Sequence, residues 1–310
     1  MTTVTTTGAR PAQPAPSGDT LKGFFYALAA YLFWGILPLY MKLVAHLPTI
    51  EVLAHRVIWS VPIALVLLVW LGRTSDIRRA LASPRTLLQA AVAAAFVSVN
   101  WGLYVWAISV DRALETALGY YINPLLTVLI GAVMLGERMS RAQLVAIGFA
   151  VAAVGVLTWE AGGLPWVSLG LATTWGMYAF FKRTLPVGPA QGFFLEVLIL
   201  LVPAIAFVAW FQATGQGHLF DRGGHEAALF IGCGFVTAVP LIVYATGAKL
   251  LTLSTIGIMQ YIAPTIVFLI AVFVFGEPFS SVKLFAFVLI WIGLAIYTWS
   301  FLTRSRPSKS

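Results

Sequence analysis

The sequence has little charge and only one cysteine. Charged residues make up 10% of its 310 residues, hydrophobic residues make up 60%, and the mean hydropathy is +0.92. A soluble domain carries roughly 25% charged residues, so this chain could not solvate a water-exposed surface. Cys233 lies inside an apolar run, and a single cysteine excludes an intramolecular disulfide and any cysteine-based metal cluster. These shortages exclude a soluble globular fold and indicate lipid as the solvent.

The sequence also lacks the motifs of common enzyme classes. It has no glycine-rich phosphate loop, no His-Glu-x-x-His metal motif and no Gly-x-Ser-x-Gly nucleophile elbow. We therefore expect no catalytic residue, no enzyme activity, no cofactor and no metal site. The net charge of +8 does not predict nucleic-acid binding, because the basic residues are spread over short loops between apolar runs.

Long apolar runs occupy nearly the whole chain. A membrane-spanning helix needs about 20 mostly apolar residues, whereas the strands of a membrane barrel alternate over segments of about 10 residues. Runs such as 90–97 and 266–275 do not alternate. The sequence therefore predicts an all-α integral membrane protein with ten transmembrane helices, at 23–44, 51–71, 87–109, 114–135, 141–159, 164–183, 192–212, 227–249, 254–276 and 281–301.

The sequence contains an internal repeat. Tyr-Ile-Asn-Pro at 121–124 returns as Tyr-Ile-Ala-Pro at 261–264, an offset of 140 residues. Trp34 is matched by Trp175 at an offset of 141 residues. An ordered series of such matches predicts a duplicated chain. Its parts would be a disordered tail (1–22), a first five-helix repeat (23–160), a second five-helix repeat (161–301) and a short C-terminal tail (302–310).

The two repeats are expected to be inverted. Five helices per repeat is an odd number, so the second copy enters the membrane from the opposite side. With the N-terminus inside, 14 of the 19 lysines and arginines fall on the inner side and 5 do not, which predicts that both termini are cytoplasmic. Inverted repeats are frequent in secondary transporters, because two such halves can exchange conformations and open one side at a time. The pattern therefore favours transport.

Arg56 and His55 are ionisable residues within the second predicted span. A charge at mid-membrane costs about 2.5–3.5 kcal/mol, so it usually faces a cavity or a partner. Arg56 is expected either to bind a substrate carboxylate or to pair with Glu51 or Glu115. His55 is expected to make a structural hydrogen bond, with a proton relay as the alternative. Glu51 lies one turn before His55, which permits a local contact.

Aromatic and amide side chains recur near the middle of several predicted spans. Aromatic rings with a few polar groups suit an amphipathic organic solute, through stacking or cation–π contact. The alternative for each ring is simple core filling or anchoring at the membrane interface. With His55 and Arg56, the candidate substrate-binding residues are Trp34, Asn100, Tyr104, Tyr121, Trp175, Tyr178, Tyr244, Gln260 and Tyr261.

Pro124 and Pro264 occupy equivalent positions in the two repeats. Proline removes a backbone donor and frees a carbonyl one turn earlier, here that of Tyr120 or Gln260. In lipid, such a carbonyl is tolerated only where neighbouring groups or a water-filled cavity satisfy it. The two prolines are therefore candidate gating residues, with a static kink as the alternative.

Several residues at helix ends and in small-residue patterns are predicted to have structural roles. Glu196 is expected near a helix N-terminus, with a coupling-proton role as the alternative. Glu137 and Glu277 stand beside turn glycines and are predicted to be structural. Gly148 and Gly155 are predicted to permit close helix approach.

Four segments carry a family resemblance: 51–60, Asn-Trp at 100–101, Leu-Gly-Tyr-Tyr-Ile-Asn-Pro-Leu at 118–125 and 260–264. They resemble the RarD (chloramphenicol-sensitivity protein) branch of the EamA type, in the drug/metabolite transporter superfamily. The resemblance covers about residues 22–300 and implies a bacterial inner-membrane carrier with two inverted five-helix repeats around a central cavity. Relatives of this type export amino acids, metabolites or drugs. The first span lacks the acidic residue of the small multidrug members, so their proton mechanism is not carried over.

These observations together favour a secondary transporter that moves a small organic solute by alternating access, in the direction of efflux. Two alternatives stay open: a passive channel or facilitator of the same fold, and a membrane receptor or assembly subunit without flux. The expected partners are a small-molecule substrate and the lipid bilayer, but no nucleic acid. Proton coupling and a homodimer are left open. The expected location is the bacterial inner membrane, as a multi-pass protein.

Overall fold

A computed structural model describes residues 19–70, 72, 74–136, 138–220, 224–248 and 250–304. The rest of the two predicted tails and Glu137 lie outside the described residues. Throughout the described ranges the secondary structure is helical. The helices are α1 (Leu21–Leu43), α2 (Thr49–Trp70), α3 (Thr74–Leu81), α4 (Pro84–Ser109), α5 (Ala113–Leu135), α6 (Arg141–Ala161), α7 (Trp166–Thr184), α8 (Pro189–Ala213), α9 (His225–Ala248), α10 (Leu253–Met259), α11 (Ile262–Leu269), a π-helix (Ile270–Val274) and α12 (Ser281–Arg304).

Nine helical segments in the described part of the chain are long and apolar enough to cross a membrane. One of them, Thr255–Val274, is formed jointly by α10, α11 and the π-helix. The remaining predicted span, 164–183, corresponds to α7, which has 19 residues but carries Thr173 and Thr174 and has Lys182 and Arg183 in its last turn, so it is more polar. The chain is an all-helical, multi-pass membrane protein, as its composition predicts.

Local sequence signals set several helix ends. The Thr20 side chain accepts a hydrogen bond from the Gly23 backbone at 3.0 Å, so α1 begins two residues before the predicted span. Ser140 and Gln143 bond reciprocally in a capping box at the start of α6. Gly136 ends α5 with a φ of 66°, in the left-handed region that favours glycine.

The two halves of the chain pack on each other reciprocally. Helix α1 packs against α9 and α11, while α7 packs against α4 and α5. The second helices of the two halves, α2 and α8, contact each other, and so do the last helices, α6 and α12. Each half therefore completes its core with helices of the other half.

At one end of the bundle, two histidine–carboxylate pairs join the halves. The fully buried Glu51 of α2 accepts a hydrogen bond from the His218 backbone at 2.9 Å and contacts His218 Nδ1 at 2.7 Å. In the second pair the histidine belongs to the first half and the carboxylate to the second: His46 Nε2 of the α1–α2 connection lies 3.1 Å from Glu226 of α9. Two buried carboxylates thus connect the α1–α2 region to the α8–α9 region.

Two more carboxylates join the halves at the same end. Glu277 accepts hydrogen bonds from the backbone N–H groups of Ala113 and Leu114, at 2.5 and 2.8 Å, and so caps α5. Glu160, at the end of α6, accepts a hydrogen bond from Ser280. We call this the carboxylate end, defined by Glu51, Glu160, Glu226 and Glu277. The structural role predicted for Glu277 agrees with this geometry.

The opposite end, which we call the Asp19 end, carries a smaller link between the halves. The carboxylate of Asp19 accepts hydrogen bonds from the Thr252 backbone, at 2.6 Å, and from the Thr255 hydroxyl. The hydrogen bond from Thr252 holds the pKa of Asp19 below its ordinary value of 3.8. Thr20 Oγ1 also donates to the Leu250 carbonyl at 3.3 Å. The start of α1 is therefore fixed to the connection before α10.

The prediction that Gly148 and Gly155 permit close helix approach is wrong. A Cβ added at either glycine would meet nothing within 4 Å, because both point to open space around α6. Close approach occurs instead at Gly234 of α9, where an added Cβ would lie 2.3 Å from Trp59 Cβ of α2. Helix α9 therefore lies against the backbone of α2 at this point.

The two candidate gating prolines occupy different local structures. Helix α5 continues without interruption through Pro124. The equivalent helix of the second half is interrupted at Gln260 and Tyr261, so that α10 ends and α11 begins just before Pro264. At the interruption, the Thr265 hydroxyl donates to the Tyr261 carbonyl at 2.7 Å. The same proline motif therefore accompanies an intact helix in one half and a broken one in the other.

Candidate functional site

Arg56 is buried in the part of α2 nearer the carboxylate end, and only 5% of it is exposed. Its Nε donates a hydrogen bond to Thr237 Oγ1 of α9 at 2.7 Å. Its guanidinium carbon lies 4.8 Å from the ring centre of Trp101 in α4. Its Nη1 has no hydrogen-bond partner. A cation with an unused donor is thus held between three helices, and charges placed within membranes usually mark functional sites.

The expected pairing of Arg56 with Glu51 or Glu115 is wrong. Glu51 bonds His218, and Glu115 receives two hydrogen bonds from Arg112, at 2.5 and 2.9 Å. Arg56 makes no ion pair within the described residues. Glu51 precedes Arg56 by five residues, which separates the two side chains by ~140° around the helix. Glu51 therefore faces the α8–α9 connection and not Arg56.

Two tyrosines continue the site from Arg56 toward the middle of the bundle. Tyr104 and Tyr120 lie near the Arg56 guanidinium, and their ring centres lie 6.0 Å apart. Tyr120 in turn stands perpendicular to Trp175 of α7, at 6.3 Å between ring centres. The hydroxyl of Tyr104 is buried without a hydrogen-bond partner. A second unused polar atom therefore lies close to Arg56.

The site continues along α7 to an ion pair whose glutamate is buried. The ring centres of Trp175 and Tyr178 lie 5.5 Å apart, and the Tyr178 hydroxyl donates to Glu196 at 3.0 Å. Lys182 Nζ donates to the other carboxylate oxygen of Glu196 at 2.6 Å. Lys182 lies near the end of α7, away from the carboxylate end, so the contacts cross the bundle. We call these residues the aromatic row: Arg56, Tyr104, Tyr120, Trp175, Tyr178, Lys182 and Glu196.

Asn100 lies beside the aromatic row and joins α4 to α7. Its Nδ2 donates to the Leu171 carbonyl at 3.0 Å and to Thr174 Oγ1 at 2.9 Å. Its Oδ1 is buried and has no hydrogen-bond partner. The amide of Asn100 therefore holds α7 against α4 close to Trp175, and its oxygen remains an unused acceptor.

Two of the sequence-predicted residues belong to a separate aromatic cluster between α1 and α9. Trp34 and Tyr244 contact each other at 5.4 Å between ring centres, and each also contacts Tyr31 at 5.7 Å. The internal repeat in the sequence pairs Trp34 with Trp175. The structure therefore places a related aromatic group on each side of the bundle.

Tyr121, Gln260 and Tyr261 lie outside the aromatic row. The Tyr121 hydroxyl bonds Thr265 Oγ1 at 2.6 Å, and Gln260 Nε2 donates to the Gly257 carbonyl at 3.0 Å. The Tyr261 hydroxyl is buried without a partner. Neighbouring residues on a helix point ~100° apart. Tyr121 therefore faces α11 and α12 and leaves its neighbour Tyr120 to face Arg56.

His55 is buried against an aromatic ring. Its imidazole stacks on Phe230 with ring centres 4.0 Å apart, and neither ring nitrogen has a hydrogen-bond partner. The prediction that His55 makes a structural hydrogen bond is therefore wrong, because its ring packs as an aromatic group. No group of three or more histidine, cysteine, aspartate or glutamate side chains among the described residues is placed to hold a metal ion.

The sequence prediction did not include Tyr120, Trp101, Lys182 or Thr237 in this region, and it placed Glu196 at a helix N-terminus. Tyr120 lies beside Tyr121, and helix phase alone decides which of the two faces Arg56. Trp101 follows Asn100 in a polar-aromatic dipeptide, a signal that could have identified it. Lys182 and Glu196 flank one short connection, which could have indicated an ion pair. Thr237 offers no comparable signal, because a threonine within an apolar helix is common.

Comparison with known proteins identifies one family. The family model of EamA-like transporters matches residues 21–159 and, again, residues 163–299. Protein RarD of Streptomyces exfoliatus is 39% identical over 288 residues, covering 93% of this chain and 91% of that protein. Uncharacterized transporter YojE of Bacillus subtilis (strain 168) is 39% identical over 295 residues, covering 94% of this chain and 98% of that protein. One solved crystal structure has a similar fold, with a TM-score of 0.56 and 19% identity, and covers 92% of this chain and 99% of that chain.

Proposed function

The chain belongs to the EamA-like transporter family and, within it, to the RarD branch, and from this we propose that it is a secondary transporter that exports a small organic solute by alternating access. The observation that carries the proposal is the aromatic row. It connects a buried arginine near one end of the bundle to a buried glutamate, paired with a half-buried lysine, near the other. Polar groups are costly in a membrane, so a continuous line of them is the expected lining of a solute path.

We propose that α7 is the tenth spanning helix and that the halves are inverted repeats in the bacterial inner membrane. The reciprocal contacts of α1 and α7 support this arrangement, and so does the match of one family model to each half. The excess of basic residues supports a cytoplasmic location for both termini. In this orientation the carboxylate end faces outward.

The carboxylate end would then form the outer closure. Each of its four carboxylates connects the first half of the chain to the second, so opening toward the outside requires those contacts to break. At the inner side, the interruption of the helix before Pro264 allows α10 to tilt while α11 stays in place. Pro264 is therefore proposed as a gating residue, with Pro124 as its counterpart in the first half.

Flux from proteoliposomes tests the proposal. Vesicles containing the purified protein are loaded with a mixture of amino acids, aromatic carboxylates and aromatic amines, and release is measured by mass spectrometry with and without a proton gradient. We expect saturable release of at least one class, with stimulation by the same solute on the opposite side. Non-saturable release would instead indicate a channel, and no release of any class would contradict transport.

Two pairs of variants connect the flux to the proposed path. Trp175→Leu removes the ring at the centre of the aromatic row and should abolish release, whereas Trp159→Leu changes a ring that is 89% exposed and should not. Pro264→Ala should slow release more than Pro124→Ala, because only the helix at Pro264 is interrupted. Equal rates for all four variants would contradict the assignment of path and gate.

A further inference from the structure

The charge of Arg56 has no ion-pair partner among the residues that the structure describes. Arg56 is 5% exposed; its Nε donates to the neutral hydroxyl of Thr237, and its Nη1 makes no hydrogen bond. Arginine stays protonated in proteins, so a full positive charge is present between α2, α4 and α9. Burying an unpaired ion costs several kcal/mol even after relaxation. An anion bound at Nη1 would offset that cost.

The neighbours of Arg56 do not supply this anion. The titratable side chains near it among the described residues are Tyr104, Tyr120 and Cys233, which are phenols and a thiol and not carboxylates. Trp59 Nε1 is a further buried donor without a partner, on the same helix as Arg56. Donors with unused hydrogens suit an acceptor that comes from outside the protein.

The surroundings of Arg56 are aromatic as well as cationic. Trp101 covers one face of the guanidinium, and Phe193 stands edge-on to Trp101 at 6.5 Å between ring centres. Tyr104 and Tyr120 add two more rings toward Trp175. Rings prefer offset or perpendicular contact with other rings, so these walls suit a planar aromatic body. The site therefore combines one positive charge with several aromatic faces.

We propose that the solute recognised at Arg56 is an aromatic organic carboxylate, whose anionic group pairs with the guanidinium while its ring lies against Trp101 and Tyr120. This proposal rests on the proposed transport function, because it assigns the substrate class of the same path. Free inorganic anions such as chloride share the charge but not the ring. The test therefore has to separate these two sources of an anion.

Thermal unfolding of the purified protein in detergent provides the test. Two series of probes keep the ring and change the charge: indole-3-acetate, indole-3-acetamide and tryptamine, and benzoate, benzamide and benzylamine. We expect the carboxylate of at least one series to bind about tenfold or more tightly than its amide and amine. Equal or tighter binding of the amides or amines, or no binding in either series, overturns the proposal. Stabilisation by sodium chloride equal to that by the carboxylates also overturns it, since it indicates an inorganic anion site.

Variants test whether Arg56 causes the preference for carboxylates over amides. Arg56→Gln should reduce the carboxylate-to-amide ratio to about one, and Arg56→Lys should retain part of it. Arg112→Gln is the matched control, because Arg112 also lies over tryptophan rings, at 5.1 and 5.7 Å, but is already paired with Glu115. Its ratio should equal that of the unmodified protein. An unchanged ratio in Arg56→Gln overturns the proposal.

A further variant covers the case in which Arg56→Gln does not fold. Thr237→Val removes the acceptor of Arg56 Nε and keeps the side-chain shape, so the guanidinium loses its anchor. The carboxylate-to-amide ratio should then fall severalfold, and an unchanged ratio overturns the proposal.

The binding test is independent of flux. Release of neutral or cationic solutes from vesicles, without release of carboxylates, would contradict the substrate class but leave transport in place. Selective binding of carboxylates without release of any solute would contradict transport but leave the anion site in place.

Discussion

Replacement of Glu277 should weaken the contact between the two halves of the chain at the carboxylate end. The Glu277 carboxylate caps α5 by accepting hydrogen bonds from Ala113 and Leu114, which belong to the other half. Helix α5 has no side-chain cap of its own, because its N-cap residue Arg112 makes no capping bond. Glu277→Ala would leave both N–H groups without this acceptor, and Glu277→Gln would keep a single acceptor oxygen.

The magnitude follows from the number and kind of these bonds. Glu277 is 8% exposed, so water replaces the lost acceptor poorly. A hydrogen bond to a charged group contributes about 1.5–3 kcal/mol, and loss of a helix cap alone costs about 1 kcal/mol. We therefore expect Glu277→Ala to lower the free energy of unfolding by about 3 kcal/mol. Glu277→Gln should lower it by roughly half as much, because an amide has one acceptor oxygen and no charge.

Equilibrium unfolding in detergent micelles, followed by circular dichroism, measures these differences. Glu160→Gln is the matched control, since Glu160 also joins the halves at this end, through an exposed hydrogen bond to Ser280. Exposed interactions of this kind contribute at most about 1 kcal/mol. The expected order of stability is wild type and Glu160→Gln, then Glu277→Gln, then Glu277→Ala. If Glu277→Ala were as stable as the control, the capping interpretation would be refuted.

Two further predictions concern buried contacts. Glu196→Gln leaves Lys182 without its counter-ion and should lower the free energy of unfolding by roughly 2–3 kcal/mol. The loss is smaller than for a fully buried pair, because Lys182 is 22% exposed and water can solvate part of its charge. The double variant Lys182→Met with Glu196→Leu should recover much of that stability, and an equally unstable double variant would argue against the ion pair as the cause. Gly234→Ala places a Cβ 2.3 Å from Trp59 Cβ and should cost about 1–3 kcal/mol in the same unfolding assay. Gly148→Ala, with nothing within 4 Å, should be neutral or stabilising by up to about 1 kcal/mol, and a loss as large as that of Gly234→Ala would contradict this account.

The helices could be predicted from the sequence because the membrane makes them a local property. A backbone in lipid has to satisfy its own hydrogen bonds, so an apolar run of sufficient length becomes a helix whatever its neighbours are. Arg56 could be identified as a candidate site residue for a similar reason, since its charge is anomalous within α2. Both inferences need only the residue and its immediate surroundings.

The partners of Arg56 could not be predicted in the same way. Thr237 is 181 residues away in sequence and meets Arg56 only because α9 lies against α2. The choice between Tyr120 and Tyr121 depends on how α5 is rotated about its axis, which its neighbours determine. The two prolines make the same point, because the motif shared by Pro124 and Pro264 is compatible with both a continuous and an interrupted helix.

The reciprocal contacts of α1 also set the order in which the protein can be assembled during synthesis. The hydrogen bond of Thr20 to Leu250 joins residues 230 positions apart, and α1 packs against α9 and α11. At a translation rate of about 5–20 residues per second, α1 waits roughly 10–50 seconds in the membrane before these helices emerge. Assembly of the first half can therefore be completed only after most of the second half has been inserted, and a ribosome that stalls before α9 leaves α1 without its neighbours and open to quality-control proteases.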